Sequence, residues 1–401
     1  MRLWLIKDGK QYLLDGAVKE LPDGIRDGYI RRAAESARRK EWKTTGEGAK
    51  FTGTYEPGCD AESRAPVNAF VAGFSEYNGA VYFSERIDGV SGIYKKISAD
   101  DHSEAIAVSS NDRIYGAPDI FRHRLAVPVT QAGEAHIAVS DLPSFDLHIV
   151  TEGNTVESDP VWSRSEPDVL YFSSAGLPEG TPGERQEEAS AIMTPASLMN
   201  AMNRPSSASR GPASLCRLDL RSGEFTTIFE DTGFDFVKPY AADDRSLYYI
   251  KRPYSQNAPR GGCLTDILMF PVRLVKSLFG FLSFFSLKYS GTPLSSGGTK
   301  AKQKDESQLF IDGNLINAEK ELKANRNEKA PGIIPKSWEL RKLSKDGRDE
   351  LIRGGVLCYT IDENGKVVYS NGKFILRIDD SGEEKLAAGD GVSYMKYFDI
   401  Q

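Results

Sequence analysis

Short stretches of alternating apolar and polar residues recur along this chain at intervals of about 40 residues. The clearest unit is Ser158–Gly176, where one strand pattern ends in Pro160-Val161-Trp162-Ser163, a polar turn follows, and a second alternating pattern begins at Val169. Period-2 alternation is typical of half-buried β-strands, and the polar residues between the patterns favour a tight turn. The pattern therefore predicts an all-β protein built from repeated strand pairs.

Weaker copies of this unit lie on both sides of the clearest one. Each has an opening strand, a short turn and a second alternating strand. Where no insertion intervenes, the opening strands are about 40 residues apart, which is the span of a four-stranded blade. The copies occupy Asn68–Ser84, Ala117–Val129, Phe236–Lys251 and Val356–Ser370.

The unit at Ser158–Gly176 resembles the blade motif of the TolB-like (WD40-like) β-propellers. In that motif P-x-W-S-P-D-G precedes a hydrophobic strand; here Pro160, Trp162 and Ser163 match, and Arg164-Ser165-Glu166 replaces Pro-Asp-Gly. The resemblance covers most of the chain outside its insertions. It implies one closed β-propeller of about six four-stranded blades, with long inserted loops. It implies little about activity, because propellers host many functions.

The two ends of the chain carry matching patterns. Leu3–Leu21 parallels Lys366–Gly391, since both contain a strand, a tight turn, a strand, a turn and a short strand. Leu3–Leu21 is therefore interpreted as the second to fourth strands of a blade whose first strand is Ser393–Phe398. Such pairing removes two sheet edges and closes the ring. A seventh blade within Pro22–Pro66 is the alternative to a count of about six.

Charge and cysteine content disfavour several kinds of site. The net charge of −6 is spread along the chain, which argues against general nucleic-acid binding. A basic stretch with helical spacing, Arg31 to Lys40, is either a solvated helix face or a contact for phosphate or anionic lipid. The four cysteines form no C-x-x-C pair, so neither a zinc site nor a disulfide framework is expected. The N-terminal residues lack the pattern of a signal peptide, and a cytoplasmic location is the expectation.

Three long segments interrupt the repeat: a connection at 22–66, a flexible insertion at 176–212 and a larger insertion at 254–337. Both insertions follow the second strand of a blade, and the connection joins a fourth strand to the next first strand. In a propeller these two kinds of loop emerge on the same face, so the three segments are predicted to share one face. Long loops in compact domains are usually functional or disordered.

The larger insertion contains the most apolar segment of the chain, 264–289, which is predicted to form an amphipathic, hydrophobic helix followed by a polar linker. A membrane span is disfavoured, because the blades before and after it must close one ring on one side of any bilayer. A helix lying in the membrane surface fits the pattern; contact with a partner protein and packing on the propeller are the alternatives. The residues expected to make this contact are Ile267, Leu268, Phe270, Arg273, Lys276, Leu278, Phe279, Phe281, Phe284 and Phe285.

Motifs of common catalytic sites are missing from the sequence. There is no G-x-S-x-G elbow and no Walker or dinucleotide motif, and His123, His136 and His148 lack metal-ligand spacing. No cofactor or metal is expected. The sequence favours a non-enzymatic propeller scaffold that binds a protein partner and docks at a membrane surface or membrane complex. The alternative is a propeller enzyme, of lyase or hydrolase type, with its site in the central channel.

Overall fold

The structure is a computed structural model that describes residues 2–40, 68–177, 210–254, 273–274, 308–311, 314–362, 364–379 and 381–398. Most of these residues lie in strands. The strands are β1 (Leu3–Lys7), β2 (Lys10–Asp15), β3 (Ala17–Glu20), β4 (Ala69–Tyr77), β5 (Ala80–Ile87), β6 (Val90–Lys96), β7 (Ala105–Ser110), β8 (Ile114–Tyr115), β9 (Asp119–Phe121), β10 (Arg124–Gln131), β11 (Glu134–Asp141), β12 (His148–Ile149), β13 (Thr155–Trp162), β14 (Val169–Gly176), β15 (Ala213–Asp219), β16 (Glu224–Phe229), β17 (Phe234–Ala241), β18 (Leu247–Pro253), β19 (Arg273–Leu274), β20 (Gln308–Ile311), β21 (Asn314–Asn317), β22 (Glu339–Leu343), β23 (Asp349–Gly354), β24 (Cys358–Ile361), β25 (Val367–Ser370), β26 (Phe374–Asp379), β27 (Gly382–Ala388) and β28 (Val392–Tyr397). The helices are α1 (Gly24–Lys40) and α2 (Ala318–Ala324).

The strands pair mainly with their neighbours in sequence and form antiparallel meanders. Separate four-stranded sheets have the orders β4-β5-β6-β7, β17-β18-β22-β23, β24-β25-β26-β27 and β28-β1-β2-β3. Two more meanders, β8 to β12 and β13 to β16, are joined into a nine-stranded sheet by one parallel bridge between Ala135 and Val156. In the β8 to β12 meander, β8 and β9 are two halves of one first strand, because both pair with β10.

The two ends of the chain meet in one sheet. β28 pairs antiparallel with β1, and Leu5 lies opposite Met395. The strand pairing that the sequence predicted between the chain ends is therefore present. It brings an aromatic cluster together, since the Trp4 ring lies 5.8 Å from that of Phe74 and 6.1 Å from that of Phe398.

The apolar core lies between adjacent sheets. Several clusters of buried side chains combine residues of different sheets, such as Trp4 and Phe83 in one cluster and Leu215 and Tyr249 in another. The inner strands therefore pack between sheets through part of their side chains, which is why strand patterns were visible in the sequence.

Helix α1 lies in the predicted connection at 22–66. Asp23 caps its N-terminus, since its Oδ1 accepts a hydrogen bond from the Arg26 backbone N–H at 3.0 Å. Arg31, Arg32, Arg38 and Arg39 are exposed on this helix, as both interpretations of this basic stretch require. The described part of the connection is helical and contains no strand of a seventh blade.

The predicted helix at 264–289 is wrong at the only two of its residues that the structure describes. Arg273 and Leu274 form β19, which pairs with β20 of the small three-stranded sheet β19-β20-β21. Pairing with a distant strand outweighs local helix propensity here, and Pro271 lacks the N–H that a helix interior requires. The rest of 264–289 lies outside the described residues. In the predicted polar linker, Asn314–Asn317 pairs with β20, and helix α2 begins directly after it.

Within the described residues, no helix has the length and apolar character needed to span a membrane.

Candidate functional site

The first strands of five meanders line one cavity of about 80 Å³, which we call the inner-strand cavity. The strands are β9, β13, β17, β24 and β28, with the turn after β13. The lining residues are Ala117, Pro118, Asp119, Asp159, Pro160, Val161, Arg164, Lys238, Pro239, Tyr240, Cys358, Tyr359, Thr360, Tyr394, Met395 and Lys396.

Two equivalent bulges shape this cavity. Asp159 precedes Pro160 in β13, and Lys238 precedes Pro239 in β17; the strand register shifts at both places. Proline has no N–H to give to the ladder, so the strand bulges around it. The φ angles of Asp159 and Lys238 are 53° and 55°. This left-handed conformation is unfavourable for residues with a side chain, and more so before proline.

Asp119 is the most buried charge of the cavity. Its side chain is 4% exposed and binds two cations: Arg164 Nη2 lies 3.1 Å from Oδ1, and Lys396 Nζ lies 2.6 Å from the same oxygen. The backbone N–H of Trp162 donates to Oδ2 at 3.0 Å. One carboxylate thus joins the turn after β13 to the C-terminal strand β28.

Pairing fixes the charge states in this cavity. Burial by itself would raise the pKa of Asp119, but the charges of Arg164 and Lys396 hold that pKa below its ordinary value. Burial lowers the pKa of Lys396, and Asp119 opposes this effect. Burial also raises the pKa of Tyr240. The carboxyl and phenol groups therefore titrate well away from neutral pH.

The bulge at Lys238 is held by β24. Lys238 Nζ donates to the Leu357 carbonyl at 3.0 Å, and the Tyr359 hydroxyl donates to the Lys238 carbonyl at 2.8 Å. The Lys238 side chain is thus fixed beside the cavity by contacts to its neighbouring sheet.

A second group of buried charges lies between the sheets of β1 and β5. This acid cluster comprises Asp23, Glu85, Glu104 and Lys96, and it surrounds the N-terminus of α1. The backbone N–H groups of Gly24 and Ile25 donate to the Glu104 carboxylate at 3.3 and 3.4 Å, and Lys96 Nζ lies 3.8 Å from it. Among the described residues, no group lies in hydrogen-bond geometry to either Glu85 oxygen, although Asp23 is close enough to influence its pKa.

Burial and neighbouring charges shift the pKa values of Glu85, Glu104 and Lys96 in the acid cluster. Burial and the neighbouring Asp23 raise the pKa of Glu104 to about 7, and the same two causes raise that of Glu85 well above its ordinary value. Burial lowers the pKa of Lys96, although Glu104 opposes this.

A third group joins the described ends of the two insertions. Asp235, 1% exposed, binds Arg210 at 3.0 Å, Arg252 at 3.3 Å and the Ala213 N–H at 2.9 Å. The Tyr254 hydroxyl donates to the Arg210 carbonyl. The return of the first insertion and the start of the second are therefore adjacent. We call these residues the Asp235 cluster.

The site residues predicted from sequence fall almost entirely outside the described residues. Only Arg273 lies within them, as part of β19. The sequence predicted that His123, His136 and His148 are not spaced as metal ligands. Among the described residues, no group of three or more His, Cys, Asp and Glu side chains is placed to hold a metal ion. Sequence reasoning gave a site in the central channel only as an alternative and missed the residues that line the inner-strand cavity. One signal was present: Ala117-Pro118, Asp159-Pro160 and Lys238-Pro239 recur in the opening strands of three units.

The sequence matches no protein-family model and no curated protein. Among solved structures, a putative TolB from Agrobacterium tumefaciens is 10% identical with a TM-score of 0.42, and the match covers 88% of this chain and 79% of that one. The chain resembles the TolB-like β-propellers. A nidogen/laminin complex matches at 7% identity and a TM-score of 0.43, over 98% of this chain and 97% of that one. An oligogalacturonate lyase from Vibrio parahaemolyticus matches at 11% identity and a TM-score of 0.34, over 82% and 83%.

Proposed function

We propose that the chain is a closed six-bladed β-propeller that serves as a binding scaffold for a protein partner. The ring is supported by bonds between neighbouring first strands around the inner-strand cavity. These hydrogen bonds are donated by the Tyr394 hydroxyl to the Phe74 carbonyl (3.2 Å), the Ile120 N–H to Ser75 Oγ (2.8 Å), the Trp162 N–H to Asp119 Oδ2 (3.0 Å), the Tyr359 hydroxyl to the Lys238 carbonyl (2.8 Å) and the Tyr397 N–H to Thr360 Oγ1 (3.3 Å). Between β13 and β17 the link is apolar, through Val161 and Phe236.

The observation that carries the binding role is the Asp235 cluster. It holds the end of the first insertion beside the start of the second, which supports the prediction that both insertions lie on one face. The partner surface we propose is formed by these insertions and the connection that contains α1. The Asp235 carboxylate is buried and accepts several hydrogen bonds, so it gives such a surface a rigid base. Binding sites on a scaffold require this rigidity.

The apolar segment at Ile267–Leu287 is proposed to attach this face to a membrane surface or a membrane complex, with the protein on the cytoplasmic side. A soluble monomer rarely leaves several Phe and Leu side chains in water, and a cover for them is expected. Burying even part of five Phe side chains stabilises such a contact by several kcal/mol, at about 25 cal/mol per Å².

The central-channel enzyme is the second candidate, and the charge states of the cavity favour it less. A general acid or base works best with a pKa near the operating pH. The pKa values of Asp119 and Tyr240 are displaced away from neutrality. Glu104, with a pKa of about 7, has a side chain that is 0% exposed in the acid cluster, where substrate has no access.

The attachment is tested by replacing Phe279, Phe281, Phe284 and Phe285 with Ser in the full chain. Cosedimentation with vesicles of a neutral and an anionic phospholipid, and capture of proteins from solubilised membranes, are measured for each variant. We expect the variant to lose both kinds of association while its circular dichroism is unchanged. The matched control, Phe225→Ser with Leu351→Ser, changes exposed apolar residues of edge strands and should keep them. Full association of the four-Phe variant, or no association of the natural chain, would contradict the proposal and favour internal packing of the segment.

A further inference from the structure

We propose that the inner-strand cavity binds a carboxylate group. The inference deepens the proposed binding role, because it names the chemistry that the ring accepts at its centre. Three cationic side chains line the cavity, those of Arg164, Lys238 and Lys396, against two carboxylates, those of Asp119 and Asp159. The cavity lining therefore carries one formal positive charge in excess.

Arg164 and Lys396 keep hydrogen-bond capacity toward a ligand, whereas Lys238 contributes its charge to the lining. Arg164 directs Nη2 to Asp119 and Nη1 to the Ile120 carbonyl at 3.5 Å, yet a guanidinium has five N–H donors. Lys396 Nζ contacts Asp119 at 2.6 Å and Ser75 at 3.4 Å, and Lys238 Nζ contacts the Leu357 carbonyl at 3.0 Å. Guanidinium and ammonium groups make their strongest hydrogen bonds to carboxylates and phosphates.

The energetics of burial favour an anion here. Arg164 and Lys396 share one carboxylate, and their side chains are only 16% and 17% exposed. Two buried cations on a single anion leave charge that water solvates poorly, and a second anion would compensate it. Burial lowers the pKa of Lys396, and the negative charge of Asp119 opposes this effect; a bound anion would oppose it further.

Size and surroundings limit the ligand. A volume of about 80 Å³ corresponds to roughly five to eight water molecules at 10–15 Å³ each. A carboxylate with a short chain fits this space, whereas a sugar phosphate or nucleotide does not. Pro118, Pro160, Pro239, Val161 and Met395 form the apolar part of the lining, which suits the carbon atoms next to the carboxylate.

The two strained residues form part of this lining. Asp159 and Lys238 keep φ values of 53° and 55° at equivalent bulges. Such strain costs about 1–3 kcal/mol per residue and persists mainly where a site requires it. The bulges place a negative side chain, Asp159, and a positive one, Lys238, at matching positions on two adjacent first strands. These two charges of the cavity therefore lie on different strands of its lining.

Two sources can supply the carboxylate: a free short-chain acid, or the C-terminus of a partner chain. Purified full-length protein is titrated with sodium succinate, with sodium chloride at matched ionic strength, and with the peptide Gly-Ala-Gly-Ala in its free-acid and C-terminally amidated forms. Calorimetry gives the affinity, and thermal melting gives the shift in Tm. We expect at least one carboxylate probe to raise Tm by about 2 °C or more relative to its chloride or amide control.

A variant pair decides whether binding occurs in this cavity. Lys238→Gln removes one lining charge and should weaken the binding of the active probe at least tenfold. Lys345→Gln removes an exposed charge in a distant turn and should leave the affinity unchanged. Succinate binding without peptide binding assigns a free acid; preference for the free-acid peptide assigns a chain terminus.

Absence of any carboxylate-specific shift, or equal affinities of the two variants, would overturn the proposal. The measurement uses no membrane and no partner protein. The carboxylate site can therefore fail while scaffold binding stands, and scaffold binding can fail in the vesicle and capture experiment while this site stands.

Discussion

The inner-strand cavity and the acid cluster both contain buried carboxyl groups, yet the pKa values of these groups shift in opposite directions. Asp119 has two cations and a backbone N–H around it, and its pKa is lowered. Glu104 has Lys96 at 3.8 Å, Glu85 is influenced by the charge of Arg26, and burial together with Asp23 still raises the pKa values of both carboxyls. Burial opposes ionisation in both places. The number of positive partners, rather than depth, decides which charge state the fold stabilises.

The two sites also differ in how much of the chain builds them. The acid cluster uses residues between Asp23 and Glu104, whereas the cavity joins Asp119 to Lys396 across 277 positions. The cavity therefore depends on the pairing of the chain ends, and the cluster does not. Three variants test the cavity and the cluster separately. The variant with the largest expected effect comes first.

Ending the chain after Gly391 should have the largest effect. It removes β28, and with it Lys396 and the buried side chains of Val392, Met395 and Phe398. Each buried apolar side chain contributes about 1.5–3 kcal/mol, so the loss is roughly 5 kcal/mol or more, comparable to the whole stability of many domains. Urea unfolding followed by tryptophan fluorescence measures it. A chain ending after Phe398 is the control, and equal midpoints for the two chains would show that the end strand closes nothing.

Replacing Asp119 with Ala should have the next largest effect. It leaves Arg164 and Lys396 buried without their shared anion, and breaking a buried ion pair from one side costs about 3–5 kcal/mol. The free energy of unfolding in urea at pH 7 is the measurement. Asp346→Ala breaks the exposed pair with Arg348, where the side chains are 53% and 71% exposed, and should change stability by about 0.5 kcal/mol or less. Similar losses in both variants would mean that Asp119 does not balance the cavity.

The acid cluster should show the smallest effect, and one that depends on pH. Glu104 has an ordinary pKa of 4.5 and a pKa of about 7 in the folded chain, so the folded state holds the proton more tightly. Its stabilising contribution is complete below pH 4.5 and is lost as the pH rises through 7. The full loss corresponds to at most roughly 3 kcal/mol.

Glu104→Gln should flatten this decline, because a neutral amide replaces the carboxyl. Unfolding free energies at several pH values between 4.5 and 8 give the slope. Glu319→Gln, on the exposed helix α2, should keep the slope of the natural chain. A natural chain whose stability rises over this window would mean that Glu104 is ionised in the folded state, and the contrast between the two sites would disappear.

The strands were predictable because their signal is local. Lys366–Gly391 was predicted to contain two strands and a short third one, and β25, β26 and β27 lie within that range. The pairing of Leu3–Lys7 with the last strand followed from the matching patterns at the two ends.

The functional groups were not predictable in the same way. Asp119, Arg164 and Lys396 stand in unrelated sequence contexts, and only the arrangement of sheets brings them together. Glu85 occupies an alternate position of a regular strand, so its pattern gave no reason to expect a buried carboxyl. At Arg273–Leu274 the period of apolar residues favoured a helix, and pairing with a strand more than thirty positions later decided otherwise.

The pairing of β1 with β28 also sets an order in time. The partner of the strand at Leu3–Lys7 is β28, which is synthesised long after it. At about 5–20 residues per second, roughly 20–80 s separate the synthesis of these two strands. During that interval one edge of β1 has unpaired backbone groups, and such edges can pair with strands of other chains. Newly made copies of this protein are therefore most prone to aggregate before β28 has been made and has paired with β1.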